Sequence, residues 1–98
     1  MKIRLTLEFA RWRDGLRDGI AKARIAKRLE RLERGLMGDV KSVGQGVQEL
    51  RIDHGPGYRL YFVQRGDVLV VLLCGGTKGS QQRDIARAWD MAARWEDG

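Results

Sequence analysis

The chain has only one cysteine, one proline and one histidine among its 98 residues. A single cysteine excludes an internal disulfide. Cys74 lies in an apolar run, which predicts a small buried hydrophobic residue rather than a catalytic thiol. His54 is far from Cys74 in the sequence, and one residue of each kind is too few for the ligand sets that hold zinc. We therefore expect no metal and no cofactor.

Long apolar runs are also missing. The longest, Val68–Cys74, is far too short to cross a membrane, and residues 1–7 alternate in polarity instead of forming a signal peptide's apolar centre. A cytoplasmic protein without membrane contact is expected. Positive charge is in excess: 19 lysines and arginines stand against 13 acidic residues, and 14 of the 19 are arginine. The net charge of +6 favours nucleic acid, an anionic surface or an acidic protein as partner, without choosing among them.

Hydrophobic periodicity predicts one domain over residues 1–98, because strands alternate in polarity and helices repeat at steps of three or four. The predicted elements are a strand Met1–Leu7, helices Phe9–Leu16 and Gly19–Arg34, strands Val40–Val43, Val47–Asp53, Tyr58–Val63 and Val68–Cys74, and a final helix capped by Ser80. Asp18 can cap the second helix. The order β-α-α-β-β-β-β-α is typical of the α+β class, and we expect a mostly antiparallel sheet with helices on one face. The last strand is apolar throughout, which indicates cover on both faces.

Two arginines and a tyrosine share one face of the central strands. Because successive side chains alternate, Arg51 on one strand and Arg59 and Tyr61 on the next lie opposite their apolar neighbours. We expect all three on the uncovered side of the sheet, where they suit a phosphate. Glu49 and Asp53 share that face, and the alternative is that they pair with the arginines on a merely solvated surface.

Several short motifs resemble one group of bacterial toxins. They are Phe9 with Trp12, Ala23-Arg24-Ile25 leading to Arg28-Leu29, Gly38-Asp39-Val40-Lys41, Val47-Gln48-Glu49-Leu50-Arg51-Ile52, Gly55-Pro56-Gly57-Tyr58-Arg59-Leu60-Tyr61-Phe62 and Leu72-Leu73-Cys74-Gly75-Gly76-Thr77-Lys78. From about Met1 to Ala88 the chain resembles the RelE/ParE superfamily, in its HigB-like or phage-derived addiction module killer protein branch. The resemblance implies a RelE-like α+β toxin partnered by a cognate antitoxin, expected to be a small helix-turn-helix protein encoded beside it.

The resemblance also implies a reaction. RelE-like members cut messenger RNA, commonly on the ribosome and without a metal, by attack of the RNA's 2′-OH on the adjacent phosphate. Their sites combine lysine and arginine with a tyrosine or histidine on the open sheet face. The candidate catalytic residues here are accordingly Arg51, Arg59, Tyr61, Lys78 and His54. Two guanidiniums can grip the non-bridging oxygens, and Lys78 can add charge or lose a proton.

The group that transfers protons stays open. Many RelE-like nucleases carry a catalytic tyrosine or histidine near the C-terminus, and this chain has neither after Gly79. The role then falls to Tyr61, His54 or Lys78, or the chain is not a nuclease. His54 titrates near neutrality, yet its place in a predicted hairpin turn favours a residue without a role.

A second set of cations is expected to contact RNA phosphates outside the catalytic site. It consists of Lys41 and of the helical residues Arg24, Lys27, Arg28 and Arg31. The helical residues form a basic stripe opposite the apolar stripe of their helix, and a simple solvated face is the alternative.

Two other functions are compatible with the resemblance, because fold does not determine function. ParE-like members poison DNA gyrase and cut no RNA. An inactive toxin that survives as a binding module would explain the missing C-terminal acid or base.

Overall fold

The computed structural model describes residues 1–95, which form five strands and three helices. The elements are β1 (Lys2–Leu5), α1 (Leu7–Asp14), α2 (Gly19–Glu33), β2 (Val40–Gly44), β3 (Val47–Ile52), β4 (Tyr58–Arg65), β5 (Leu69–Thr77) and α3 (Gln81–Arg94), with one 3-10 turn at Lys78–Ser80. Asp18 caps α2 as predicted for that position, since its carboxylate accepts the backbone N–H groups of Ile20 and Ala21. No helix within residues 1–95 combines the length and apolar content needed to cross a bilayer.

The strands form one sheet in the order β1-β5-β4-β3-β2. Strands β2 to β5 pair antiparallel with their chain neighbours, and β1 alone pairs parallel, against β5. The predicted α+β class and the mostly antiparallel sheet are therefore confirmed. The central strands β3, β4 and β5 carry most of the buried side chains.

Helices α1 and α2 cover one face of the sheet. Their buried side chains, among them Phe9 and Ile25, pack on the alternate positions Leu50, Leu60 and Leu72 of the three central strands. Burial of such residues supplies the main driving force for folding, at about 25 cal/mol per Å² of apolar surface. The alternation predicted from the sequence thus corresponds to this core.

Helix α3 covers the other face, so the expectation of helices on one face only is wrong. Its Ala88 and Trp89 pack on a second core that includes Tyr61, Val63 and Leu73. The physical reason is that β3, β4 and β5 also carry apolar side chains on this face, and these need cover from water. The apolar run of the last strand had indicated burial on both faces, and that prediction is confirmed at residues 70–74, as is the burial of the single cysteine.

Polar contacts at the start and in the middle of α3 hold the helix in place. Near its start, the side chain of Gln81 donates to Glu49 on β3 at 2.8 Å. Further along, the indole Nε1 of Trp89 donates to the backbone oxygens of Val43 and Gly44 at 3.2 and 3.1 Å. Because these contacts reach β2 and β3, the position of α3 is fixed relative to one end of the sheet.

The strand β5 extends to Thr77, whereas the sequence predicted a break at Gly75. Two glycines continue the strand because both layers of helix approach it there. A Cβ on Gly75 would overlap the indole ring of Trp12, and a Cβ on Gly76 would overlap the carboxylate of Asp84. The glycines thus mark close packing rather than a turn.

We expect Gly75→Ala to lower the free energy of unfolding by about 1–3 kcal/mol, because the added methyl group displaces the Trp12 ring. Urea denaturation followed by circular dichroism measures the change. Gly19→Ala is the matched control, since no atom lies within 4 Å of its added Cβ. The control should unfold at an equal or higher urea concentration than the wild type, and equal midpoints for the two variants would contradict the packing role of Gly75.

Candidate functional site

Strand register brings the two predicted arginines together. Arg51 and Arg59 are direct partners in the antiparallel pair β3–β4, which places their Cβ atoms about 5 Å apart. Lys78 joins them because β4 pairs with β5 up to Thr77, and its backbone N–H donates to the oxygen of Gly57 at 2.8 Å. Three of the five predicted catalytic residues therefore meet at one end of the sheet.

These three cations line an open cleft of about 390 Å³. The hairpin between β3 and β4 forms its rim, and two acidic side chains complete the lining. The full set is Asp39, Arg51, Asp53, Gly55, Pro56, Gly57, Arg59 and Lys78. A cleft of this size can accept a phosphate with part of a sugar.

Gly57 allows the cleft to form. It has a φ of +79°, a conformation that side chains other than glycine rarely adopt. A Cβ there would lie 3.5 Å from the Nη1 of Arg59 and 3.5 Å from the Cβ of Lys78. The bare backbone of Gly57 therefore separates two of the cations and keeps the space beside them free.

A fully buried carboxylate lies behind the cleft. One oxygen of Glu49, Oε1, accepts a hydrogen bond from Arg51 Nε at 3.1 Å and lies 3.9 Å from Arg59 Nε. The other oxygen, Oε2, accepts from the Tyr61 hydroxyl at 3.1 Å and from Gln81 Nε2 at 2.8 Å. Sequence reasoning considered Glu49 only as a solvated partner of the arginines. Strand alternation did not separate it from an exposed polar residue, because its burial depends on α3 and on its pairing opposite Tyr61, which only the structure shows.

Glu49 is ionised at neutral pH. Burial alone would raise the pKa of its carboxyl group, but hydrogen bonds from Gln81, Arg51 and Tyr61 and the charge of Arg59 outweigh burial and lower that pKa below its ordinary value. The site therefore contains a permanent negative charge that no water reaches.

Arg59 is more deeply buried than Arg51. Its side chain is 11% exposed, against 36% for that of Arg51. Its buried Nε has no hydrogen-bond partner among residues 1–95, because 3.9 Å to Glu49 is too long for a hydrogen bond. A buried donor without a partner costs about 1–3 kcal/mol, a cost typical of side chains kept for function.

Tyr61 is not on an open surface, contrary to the sequence prediction. It is completely buried under α3, and its hydroxyl donates to Glu49. Burial, together with the Glu49 charge, raises the pKa of that hydroxyl strongly. Tyr61 shares a sheet face with the arginines as predicted, but it has no access to a substrate phosphate and is unsuited to proton transfer there.

His54 also lies outside the cleft. Its Nε2 is 2.9 Å from the Oδ2 of Asp18, and its ring stacks on Tyr58, which belongs to the core beneath α1 and α2. A hydrogen bond from the Ala21 backbone, followed by the contact with His54, lowers the pKa of Asp18. His54 thus ties the β3–β4 hairpin to the start of α2, and no feature of the sequence predicted a partner 36 residues away.

The basic residues of α2 divide into two kinds. Arg24, Lys27 and Arg31 are exposed. Arg28 is half-buried and donates to the backbone oxygens of Arg51 and Met37, at 3.0 and 3.4 Å. Burial and the neighbouring charge of Arg31 lower the pKa of Arg28. Its guanidinium therefore supports the end of β3, and it does not project from the surface as predicted.

The exposed cations of α2 line a second cleft of about 310 Å³. Its lining includes Ile52 and Asp53, and Asp53 also lines the first cleft, so the two clefts adjoin. Lys41 lies apart from them, on β2 opposite Glu49 in register, beside a shallow depression shared with Trp89. The predicted phosphate-contacting residues therefore form two groups.

Stability should depend on pH through Glu49. Its pKa is lower in the folded chain than the ordinary value of 4.5, so ionisation stabilises the fold above about pH 4.5, and this contribution is lost as the pH falls through the folded pKa. Glu49→Gln should lower the free energy of unfolding at pH 7 by on the order of 3 kcal/mol and flatten its decline below pH 4.5.

Urea denaturation at a series of pH values tests this expectation. Glu30→Gln, at an exposed position on α2, is the matched control and should keep the wild-type pH profile. An unchanged acid limb in Glu49→Gln would show that the charge of Glu49 contributes nothing to stability.

Comparison with known proteins identifies the family of the chain. A family model described as "Phage derived protein Gp49-like (DUF891)" matches residues 14–94 of the chain. An uncharacterized protein of Haemophilus influenzae is 49% identical over 88 residues, which cover 90% of this chain and 89% of that protein. The chain therefore belongs to the Gp49-like phage-derived family, a toxin-like family related to RelE.

Proposed function

We propose that this protein is the toxin of a type II toxin-antitoxin system, of the HigB-like branch, and that it cuts messenger RNA bound to the ribosome in the cytoplasm. The observation that carries the proposal is the meeting of Arg51, Arg59 and Lys78 around one open cleft. Three cations within one small volume suit a phosphate with added charge far better than a neutral ligand. The proposed partner is an antitoxin of the helix-turn-helix type encoded by a neighbouring gene.

The proposed reaction needs no group other than the RNA and the protein. The 2′-oxygen of one nucleotide bonds to the adjacent phosphorus while the bond from phosphorus to the 5′-oxygen breaks. The products are a 2′,3′-cyclic phosphate and a free 5′-OH, so the proton taken from the 2′-OH is balanced by one given to the leaving oxygen. In the transition state between the intact RNA and these products, the non-bridging oxygens on phosphorus carry extra negative charge.

Arg51 and Arg59 stabilise that charge. A guanidinium stays protonated at any physiological pH and offers paired donors to two oxygens of one phosphate. The more buried Arg59 lines the cleft from its wall, and the more exposed Arg51 can contact the same phosphate from the other strand. Removal of one such donor from comparable sites costs about 10²–10³ in rate.

Proton transfer falls to the remaining side chains of the cleft. Lys78 is exposed at its edge and, as an ammonium group, can donate to the leaving 5′-oxygen. Asp39 and Asp53 line the same cleft and supply carboxylates that can accept the proton of the 2′-OH. Sequence reasoning did not consider these two residues as bases, because neither belongs to a pattern that distinguishes a base from a surface charge.

The second cleft contributes affinity rather than chemistry. Arg24, Lys27 and Arg31 are exposed next to the first cleft, where they can contact phosphates of ribosomal RNA without reading sequence. Lys41 offers a further contact on β2.

One observation favours inactivity instead. Neither His54 nor Tyr61 opens onto the cleft, so its lining residues include neither the histidine nor the tyrosine predicted for proton transfer. An inactive toxin that acts as a binding module is therefore the second candidate function.

Arg59→Ala and Lys78→Ala should each reduce messenger RNA cleavage by about 10²–10³-fold, because each removes a charge that faces the phosphorane. The measurement is induction of the toxin in a bacterial host, followed by growth and by mapping of RNA 5′-ends. Arg94→Ala is the matched control: it removes the same charge from a side chain that is 78% exposed at the far end of α3. The control should arrest growth like the wild type.

The same induction separates the alternatives. Full toxicity of Arg59→Ala would reject the catalytic role of the cleft. A DNA damage response with intact transcripts would identify a gyrase poison of the ParE kind. Normal growth despite abundant folded wild-type protein would identify the inactive module, and relief of arrest by the neighbouring gene product would establish the antitoxin.

A further inference from the structure

Glu49 raises a question that stability does not answer. Its carboxylate is fully buried, and a buried ion pair is often no more stable than well-packed apolar side chains of the same volume. A leucine or methionine on β3 would fill the same space beneath α3 without the cost of removing a charge from water. The buried charge of Glu49 therefore needs an explanation other than stability.

The geometry shows where that effect lies. Glu49 contacts both arginines at Nε, the guanidinium nitrogen nearest the backbone, through the same oxygen Oε1. The terminal Nη atoms lie outside these contacts. For Arg59, Nη1 lies 3.5 Å from the position that a Cβ on Gly57 would occupy, on the rim of the cleft. Each arginine thus lies next to Glu49 at its Nε and also lines the cleft.

Repulsion makes this arrangement dependent on Glu49. Arg51 and Arg59 are direct cross-strand partners, and like charges at such positions repel. The negative charge between their Nε atoms offsets this repulsion. Without it, the more exposed Arg51 would move toward water, and the two tips would no longer face one phosphate.

Glu49 is itself fixed from the opposite side. Its second oxygen, Oε2, accepts from Tyr61 on β4 and from Gln81 at the start of α3. Helix α3 is in turn anchored to β2 by Trp89. The position of the arginine tips is therefore connected to the helix that covers the sheet.

We infer that Glu49 is a positioning residue of the proposed nuclease: it aligns the guanidiniums of Arg51 and Arg59 for one substrate phosphate and touches no substrate itself. This inference rests on the proposed function. The reaction benefits because donors that are already aligned do not need to reorganise when charge develops on the phosphate.

The test compares the wild type with Glu49→Gln, which keeps the shape of the side chain and removes its charge. The first readout is exchange of the Arg51 and Arg59 Nε–H protons with water, measured by nuclear magnetic resonance without RNA. The second is the single-turnover cleavage rate of messenger RNA on saturating ribosomes. We expect exchange to accelerate and cleavage to slow, each by at least tenfold.

Two further variants keep the test decisive. Leu32→Ala removes a fully buried side chain from the core on the other side of the sheet and controls for lost stability. Its Nε–H exchange and cleavage rate should match the wild type under conditions where it is folded. Gln81→Ala removes one hydrogen bond to Glu49 but keeps the charge of Glu49. It should shift both readouts in the same direction as Glu49→Gln does. Gln81→Ala takes the place of Glu49→Gln in the test if Glu49→Gln does not fold.

The outcomes are distinct. Unchanged Nε–H exchange overturns the inference, whatever the cleavage data show. Faster exchange with a cleavage rate equal to that of Leu32→Ala also overturns it, because Glu49 would then be only structural. Absence of cleavage by the wild type overturns the proposed function, and the positioning role falls with it.

Discussion

The negative charge buried at Glu49 is the interaction on which the site and much of the fold depend. Its two oxygens connect β3 to β4 through Arg59 and Tyr61 and to α3 through Gln81. A carboxylate removed from water is tolerable only where several donors surround it. Arg51 is one of these donors, and Arg59 adds a positive charge 3.9 Å from the carboxylate. Both arginines also line the open cleft, so the buried charge lies directly behind a cleft lined by cations.

The two helical layers determine where that cleft lies. Trp12 of α1 approaches Gly75 from one side of β5, and Asp84 of α3 approaches Gly76 from the other. Glycine is required at both positions because a side chain would occupy the space of a neighbouring layer. The end of β5, which leads into Lys78, therefore lies between both helical layers. Lys78 is placed next to Arg59, on the other side of Gly57.

The sequence predicted the features that depend on local spacing. Strand periodicity correctly put Arg51 and Arg59 on one face, and the helix patterns correctly located α2 and its cap. It failed where the outcome depends on contacts between distant segments. Whether Tyr61 faces water depends on α3, which docks from beyond residue 80, and the partner of His54 belongs to another helix. Alternation says which side chains share a face, but not what covers that face.

The composition of the cleft also bears on why such a site would act on a ribosome. Arginines stabilise charge but do not act as acids or bases at neutral pH, so under the proposed function Arg51 and Arg59 would meet only one of the reaction's needs. Under the proposed function, Lys78, Asp39 and Asp53 would transfer the protons. A reaction of this kind gains most from a substrate held in line for attack, since correct orientation supplies about 7–11 kcal/mol in favourable cases. A large particle that fixes the RNA backbone would supply that orientation, and the adjoining basic surface of α2 would hold the proposed toxin against its phosphates. Under the proposed function, this small domain would rely on charge stabilisation and leave substrate alignment to the ribosome.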